Sequence, residues 1–356
     1  MEEKTVTNYR SIFWPVLLIG VGLIWLLGNM NLLPDPSLSL LIRLWPLALV
    51  VIGLDILIGR RSPLIGTILA VGSIALIIAL LFLAPTLGFE PQGELKTLHF
   101  SEPLDGATSA DISLDLERYP STINSSSSSD MLIEAKLDTV TDVIFSARGN
   151  QEKIIRLEPA DDYSLWDFDW DSLLMRDASW EIGLSPDVPM DLYVNVGSGS
   201  AALDLEYLEL TSFVIDGGSG SSTLVLPASG LRYTAIVGGG SGRFDIEIEV
   251  GADVSMNVDI GSGSFDLLIG QGADVDAEIN GGSGSLTINV PNDVGVRVVI
   301  QDRGSGSVRL PGPYDLVNDM GDDDRDTGIW ESAAYSDALH HVEIIFNSSS
   351  GSFTLR

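Results

Sequence analysis

Gly197-Ser198-Gly199-Ser200 returns as Gly218-Ser219-Gly220-Ser221, then at Gly261, Gly282 and Gly304, with a Gly-Ser-Gly-Arg variant opening at Gly240. The intervals are 21, 22, 21, 21 and 22 residues, and a worn copy, Ser349-Ser350-Gly351-Ser352, closes the chain. A fixed period of this size marks a repeat architecture. With the first glycine of each copy as position 1, position 7 is Leu203, Leu224, Ile246, Leu267, Ile288, Leu310 and Leu355. Position 5 is Ala201, Ser222, Phe244, Phe265, Leu286, Val308 and Phe353, and position 9 is Leu205, Leu226, Ile248, Ile269 and Val290. Apolar residues two apart describe a half-buried strand. A second alternating run precedes the next glycine, as in Tyr233, Ala235, Val237 and Val254, Met256, Val258.

Each repeat therefore reads strand, turn, strand, turn. Turn residues stand between the runs in Pro227-Ala228-Ser229-Gly230, Gly251-Ala252-Asp253 and Pro291-Asn292-Asp293. One unit cannot bury its own apolar face, whereas stacked units can. The fold class is a membrane-anchored all-β chain whose β-domain is a single-stranded β-solenoid with rungs of 21–22 residues, seven of them about 30 Å tall. The glycines Gly197, Gly218, Gly240, Gly261, Gly282 and Gly304 are structural turns, suited to left-handed positions. The serines can hydrogen-bond one another from rung to rung. The last strand, Phe353 to Arg356, reads as an open edge through which copies of the chain could pair. A flexible Gly/Ser linker would lack apolar residues at fixed offsets. A calcium-binding β-roll has a period of nine and requires Asp where most copies lack it.

The 356-residue chain has a formal charge of −31, unevenly spread. Residues 1–89 carry five Lys/Arg and four Asp/Glu, and residues 90–356 carry 14 and 46. So acidic a domain repels nucleic acid, which needs clustered cations against its phosphates. There are no cysteines, which excludes thiolate catalysis, disulfides and Cys-ligated metals. Nothing points to a cofactor.

Before the acidic part lie three apolar segments, Ile12–Leu33, Leu38–Ile58 and Pro63–Ala84. Each exceeds the roughly 20 residues that cross a bilayer core, and together they outlast a cleaved signal peptide. Residues 1–89 thus read as a three-helix transmembrane module with helices at about 12–33, 38–58 and 63–84. Trp14-Pro15, Gly22-Leu23 and Gly28 recur 31 residues later as Trp45-Pro46, Gly53-Leu54 and Gly59, so the first two helices repeat each other. Lys4, Arg10, Arg60 and Arg61 fall on one side and only Arg43 on the other. The positive-inside rule then makes the amino terminus cytoplasmic and residues 90–356 extracytoplasmic. Asp55, within a turn of Arg60, reads as an interfacial carboxylate neutralised by Arg60 or Arg61.

Residues 90–196 are less regular. Ala110–Leu116, Met131–Leu137, Trp180–Leu184 and Met190–Val196 alternate as strands, and Ser125–Ser129 is a polar turn. They read as irregular rungs that cap the regular solenoid of 197–356. Two acidic insertions interrupt the pattern. Asp161–Asp171 interleaves Trp166, Phe168 and Trp170 with aspartates, and the excursion 311–341 holds Asp322, Asp324 and Asp326.

The twin Trp-Pro helices resemble the LiaI/LiaF-type membrane module. The run Trp180-Glu181-Ile182-Gly183-Leu184-Ser185-Pro186-Asp187-Val188-Pro189-Met190-Asp191-Leu192, followed by Gly197-Ser198-Gly199-Ser200 and Leu203-Asp204-Leu205, is similar to the toast-rack, adhesin-type β-repeat domain that often follows that module. The resemblance implies a non-enzymatic membrane protein in or near an envelope-stress signalling system, with a membrane sensor kinase as partner. A surface adhesin or scaffold is the alternative.

Chemistry on the solenoid reads sparsely. A carbohydrate-active solenoid enzyme would need carboxylates and cations converging on a groove. The repeats hold few cations, and Asp245 and Asp266 fall on the outward position 6. His340 and His341 are adjacent, and adjacent strand residues point to opposite faces, which disfavours one shared ion. Asp322, Asp324 and Asp326 alternate like a calcium loop, but Thr327 precedes Gly328 and Ala333 stands where the twelfth-position Glu belongs. A solvated acidic loop is the expectation there, with calcium the alternative. For Trp166, Phe168 and Trp170, burial against the solenoid competes with a partner surface for headgroups, glycan or protein.

Overall fold

Gly-Ser-Gly-Ser turns stack because each rung's turn sits directly on the last. Ser262 N–H donates to the Gly240 carbonyl at 2.9 Å, and Ser283 N–H to that of Gly261 at 3.0 Å. The computed structural model describes residues 45–57, 63–83, 95–160, 178–302, 304–310, 312, 314–320, 327–348 and 350–356, with a few residues before 31. The helical part and the β-domain form separate compact units.

In the helical unit, α1 is Trp45–Leu57 and α2 is Pro63–Leu83. Proline near the start of each costs nothing, because the first helical N–H groups have no intrahelical acceptor. Neither helix has an apolar stripe with a polar back. Leu49, Val50, Ile56, Ile68 and Val71 are all more than half exposed, the pattern of a helix whose surroundings are themselves apolar. Within the residues whose side chains are described, no helix is long and apolar enough to cross a membrane. The backbone of α2 alone runs 21 residues, roughly 31 Å at 1.5 Å per residue. The first of the three expected segments is described only in part, helical at 18–22. The Asp55 side chain lies outside the described residues.

The β-domain holds 23 strands among the described residues. Those of the first part are β1 (Lys96–Pro103), β2 (Ser109–Asp115), β3 (Ser121–Ser125), β4 (Met131–Thr139), β5 (Val143–Arg148), β6 (Glu152–Pro159) and β7 (Ser179–Leu184). The repeats supply β8 (Met190–Gly197), β9 (Ala201–Asp204), β10 (Leu210–Gly217), β11 (Ser221–Leu226), β12 (Tyr233–Gly239), β13 (Arg243–Ile248), β14 (Asp253–Ile260) and β15 (Ser264–Ile269). They continue with β16 (Asp274–Gly281), β17 (Ser285–Asn289), β18 (Gly295–Asp302), β19 (Ser307–Arg309), β20 (Tyr314–Asp319), β21 (Gly328–Ser332), β22 (His341–Ser348) and β23 (Ser352–Leu355).

Each rung gives one strand to each of two sheets. One sheet has the order β1-β4-β7-β3-β9-β11-β13-β15-β17-β23-β19, and the other β20-β21-β18-β22-β16-β14-β12-β10-β8-β2-β6-β5. Rungs pair in parallel at the repeat offset, Phe244 opposite Phe265 and Val254 opposite Val275. Positions 5, 7 and 9 point between the sheets as expected. Phe244, Phe265, Ile246, Leu267, Ile248 and Ile269 are buried, and the Phe244 and Phe265 rings stack at 4.8 Å. Antiparallel strands finish the stack: β4 against β7 and β5 against β6 at one end, β21 against β18 at the other.

Two expectations are corrected. The rungs do not stack in chain order. β22/β23, the last rung in sequence, lies between β16/β17 and β18/β19, and β2/β3 lies between β6/β7 and β8/β9. The segment Phe353 to Arg356 is therefore no open edge. β23 pairs with β17 on one side and β19 on the other, and among the described residues the sheets end on β1, β5, β19 and β20. The second correction concerns the turn glycines. Of the six, only Gly197 and Gly304 have left-handed φ, 57° and 55°. At Gly218, Gly240, Gly261 and Gly282 a Cβ would overlap the carbonyl oxygen of the glycine one rung below. Close stacking, not a left-handed turn, is what demands glycine there.

Candidate functional site

The repeat turns line an open groove of about 740 Å³, walled by Ser219, Ser241, Ser262, Ser283 and Ser350 with their glycines. It offers hydroxyls and backbone groups. Its one cation, Arg243, lies 3.4 Å from Asp266 and 3.9 Å from Asp245. Those two aspartates are register partners on the outer sheet face, as their shared position 6 requires. Along the expected serine ladder, the Ser305 hydroxyl donates to that of Ser350 at 3.3 Å.

A second cleft, about 730 Å³, lies on the same sheet toward β1, β4, β7 and β3. Alternation along these strands turns His99, Lys136, Glu181 and Thr122 outward in one row, with His99 opposite Lys136 and Lys136 opposite Glu181. The turn Ser125–Ser127 overhangs it. Ser126 Oγ donates to Glu134 at 2.8 Å, and its N–H to the Leu184 carbonyl at 2.6 Å. Gly183 makes room, since a Cβ there would come 3.3 Å from Ser126 Cβ. Hydrogen bonds from Ser128 and Ser126 hold the Glu134 carboxyl below its ordinary pKa. Lys136 Nζ lies 3.5 Å from Glu181. The cleft presents both signs of charge to an extended polar group.

His340 and His341, adjacent in sequence and disfavoured there as a shared-ion pair, both meet Asp274, 66 and 67 residues away. His340 Nδ1 is 2.9 Å from one Asp274 oxygen, and the His341 N–H donates to the other at 2.8 Å. Burial pushes the Asp274 carboxyl up, but the two bonds and the imidazole charges outweigh it and hold the pKa below its ordinary value. The His341 ring turns away, its Nε2 3.0 Å from the Tyr335 carbonyl. Among the described residues no three His, Asp or Glu side chains are grouped to hold a metal ion.

Trp166, Phe168 and Trp170, and Asp322, Asp324 and Asp326, lie outside the described residues. Their stems are described. The Ala160 N–H, at the start of the first insertion, donates to the Asp142 carbonyl at 2.8 Å, and Lys96 Nζ at the start of β1 lies 3.3 Å from the Asp142 carboxylate. Ala160, the last described residue before the insertion, and Lys96, at the start of β1, thus meet at Asp142. The second excursion is more than a loop, because β20 and β21 within it form a hairpin on β18.

Residues 13–96 match the family model of the LiaF transmembrane domain, and residues 91–247 that of the N-terminal domain of toast_rack. Neither describes a catalytic domain. No curated protein matches the chain. Among solved structures, a "putative cell adhesion protein" from Clostridium sporogenes aligns with 74% of this chain and 99% of its own, at 13% identity and a TM-score of 0.35.

Proposed function

We propose that this chain, LiaF-like in its transmembrane module and in the toast-rack domain that follows, is a non-enzymatic regulator of cell-envelope stress signalling that works through protein contacts. The observation that carries the reading is the junction itself: one chain joins the LiaF transmembrane domain to a toast-rack domain within residues 13–247. Three helices anchor it in the cytoplasmic membrane, with the amino terminus cytoplasmic and the solenoid extracytoplasmic, and a membrane sensor kinase is the partner. Support for the anchor comes from α1 and α2, whose sequences are apolar but for Asp55, Thr67 and Ser73 and which expose large apolar side chains. The acidic, rigid solenoid suits a protein whose output is contact.

Deleting the gene and profiling transcripts under wall-active antibiotics tests the role. A shifted stress regulon is expected, and an unchanged one overturns the reading. Orientation is tested separately by placing a cysteine at the exposed Glu247 in this cysteine-free chain. Labelling by an impermeant reagent in intact cells is expected, and protection reverses the topology.

A further inference from the structure

The last rung is threaded into a stack that was already complete without it. Along the chain, Ile248 to Val254, Ile269 to Val275 and Val290 to Val296 are each six residues, the connection that steps from one rung to the next. The first two connections climb one rung. The third has the same length and apolar pattern yet strides two, because β22/β23 occupies the level between. Registers agree on both sides: Val275 faces Val342, and Val342 faces Val296. Removing Val342 would leave Val275 and Val296 at the 21-residue offset that pairs β12 with β14 and β14 with β16. The cap does not obstruct this, since β21 pairs with the far edge of β18. β18 can exchange β22 for β16 and keep its cap.

We propose that β22/β23 is a detachable insert, and that the solenoid has a second closed state in which β18/β19 stacks directly on β16/β17 and the last rung is released. In the inserted state the rung is laddered on both sides and buries Phe346 and Phe353, stacked at 4.9 Å. His340 clasps it to Asp274 at its entry, and the Ser350 N–H bonds the Gly282 carbonyl at 3.1 Å at its turn. Released, it presents two strands with apolar faces, Val342, Ile344 and Phe346 on one and Phe353 and Leu355 on the other. Strands of that form add to the exposed sheet edge of a partner. With the β20/β21 cap retained on β18, the stretch 333–340 is the tether on which the rung moves. This conformational device stands independently of the signalling role.

Disulfide trapping separates the states. Glu278, Ile345 and Val299 are aligned on the outer face of one sheet, with Ile345 in the middle. Neighbouring strands are about 4.8 Å apart, within disulfide reach, and next-but-one strands about 9.6 Å apart, beyond it. In the full chain, Glu278→Cys with Ile345→Cys should oxidise readily and Glu278→Cys with Val299→Cys should not. In a chain ending at residue 340, the second pair should oxidise roughly tenfold faster or more, as its effective concentration rises. A full chain carrying Phe346→Asp and Phe353→Asp, which expels the rung without shortening the protein, should behave likewise. Oxidation of the Glu278–Val299 pair in the unmodified chain overturns the insertion. Failure of both altered chains to gain that crosslink, whether folded or unfolded, overturns the second closed state.

Discussion

Gly261→Ala distinguishes a stacking turn from a flexible one by the sign of its effect. Gly261 has no left-handed φ, so alanine can adopt its backbone conformation. Were the glycine there only for flexibility, alanine would stabilise the fold by about 0.4–1 kcal/mol through the unfolded chain. In the stack, however, its Cβ would overlap the Gly240 carbonyl oxygen and crowd the Gly239 oxygen at 2.7 Å. Both belong to backbone, which cannot swing aside as a side chain would. Relief requires this turn to lift from the one below, weakening Gly261 N–H to Gly239 O at 3.0 Å, Ser262 N–H to Gly240 O at 2.9 Å and Ser264 N–H to Gly242 O at 3.0 Å. At about 0.5–1.5 kcal/mol for each bond lost, less the gain from the unfolded chain, the net loss is about 0.5–4 kcal/mol. Gly230→Ala is the control, since its nearest contact would be an ordinary 3.5 Å to the flexible Glu209 carboxylate. Hydrogen exchange on the full chain in detergent should show faster exchange across 239–264 for Gly261→Ala and unchanged or slower exchange for Gly230→Ala. Unchanged or increased protection in Gly261→Ala would refute the stacking argument.

Three further outcomes are expected. Phe353→Ala removes a fully buried ring stacked on Phe346 and should cost about 3–5 kcal/mol, read as faster exchange in β19, β22 and β23 together. Lys153 is buried, paired with Glu102, and donates to the Pro103 carbonyl at 3.0 Å. Lys153→Ala leaves that carboxylate without its partner, at a cost of about 2–4 kcal/mol by chemical denaturation, with β1 opening first. Asp274→Asn tests the clasp by pH: a carboxyl held below its ordinary value of about 3.9 adds stability above that pH and loses it as pH falls through the lower folded value. The melting temperature of Asp274→Asn should thus lie below that of the unaltered chain at pH 6, and the two should converge at the acid end. A gap that persists at the lowest pH would argue against the clasp.

The repeat is legible because a strand's inward positions recur with period two and a rung's with period 21, so Leu203, Leu224, Ile246 and Leu267 announce both at once. The order of the rungs is not legible, for the same reason. When every rung presents apolar residues at matching offsets, any rung fits beside any other, and the pattern cannot say that Phe353 sits between Leu286 and Val308. The signal that could have shown it was length. Thirty-one residues separate Arg309 from His341, enough to build β20 and β21 on the outer edge of β18 and still return to the far side of that strand. The cap hairpin and the threaded rung are two consequences of one excursion: a hairpin on the outer edge of β18 denies the last rung that edge and leaves it the opposite one. The Asp274 clasp was hidden by sequence distance, and the reason for glycine at Gly218, Gly240, Gly261 and Gly282 by the absence of any coordinate along the stack. A turn read alone suggests a left-handed glycine. Read in its column, it is a place where two backbones approach too closely for a side chain, and that closeness keeps the ladder in register while rungs at both ends trade places.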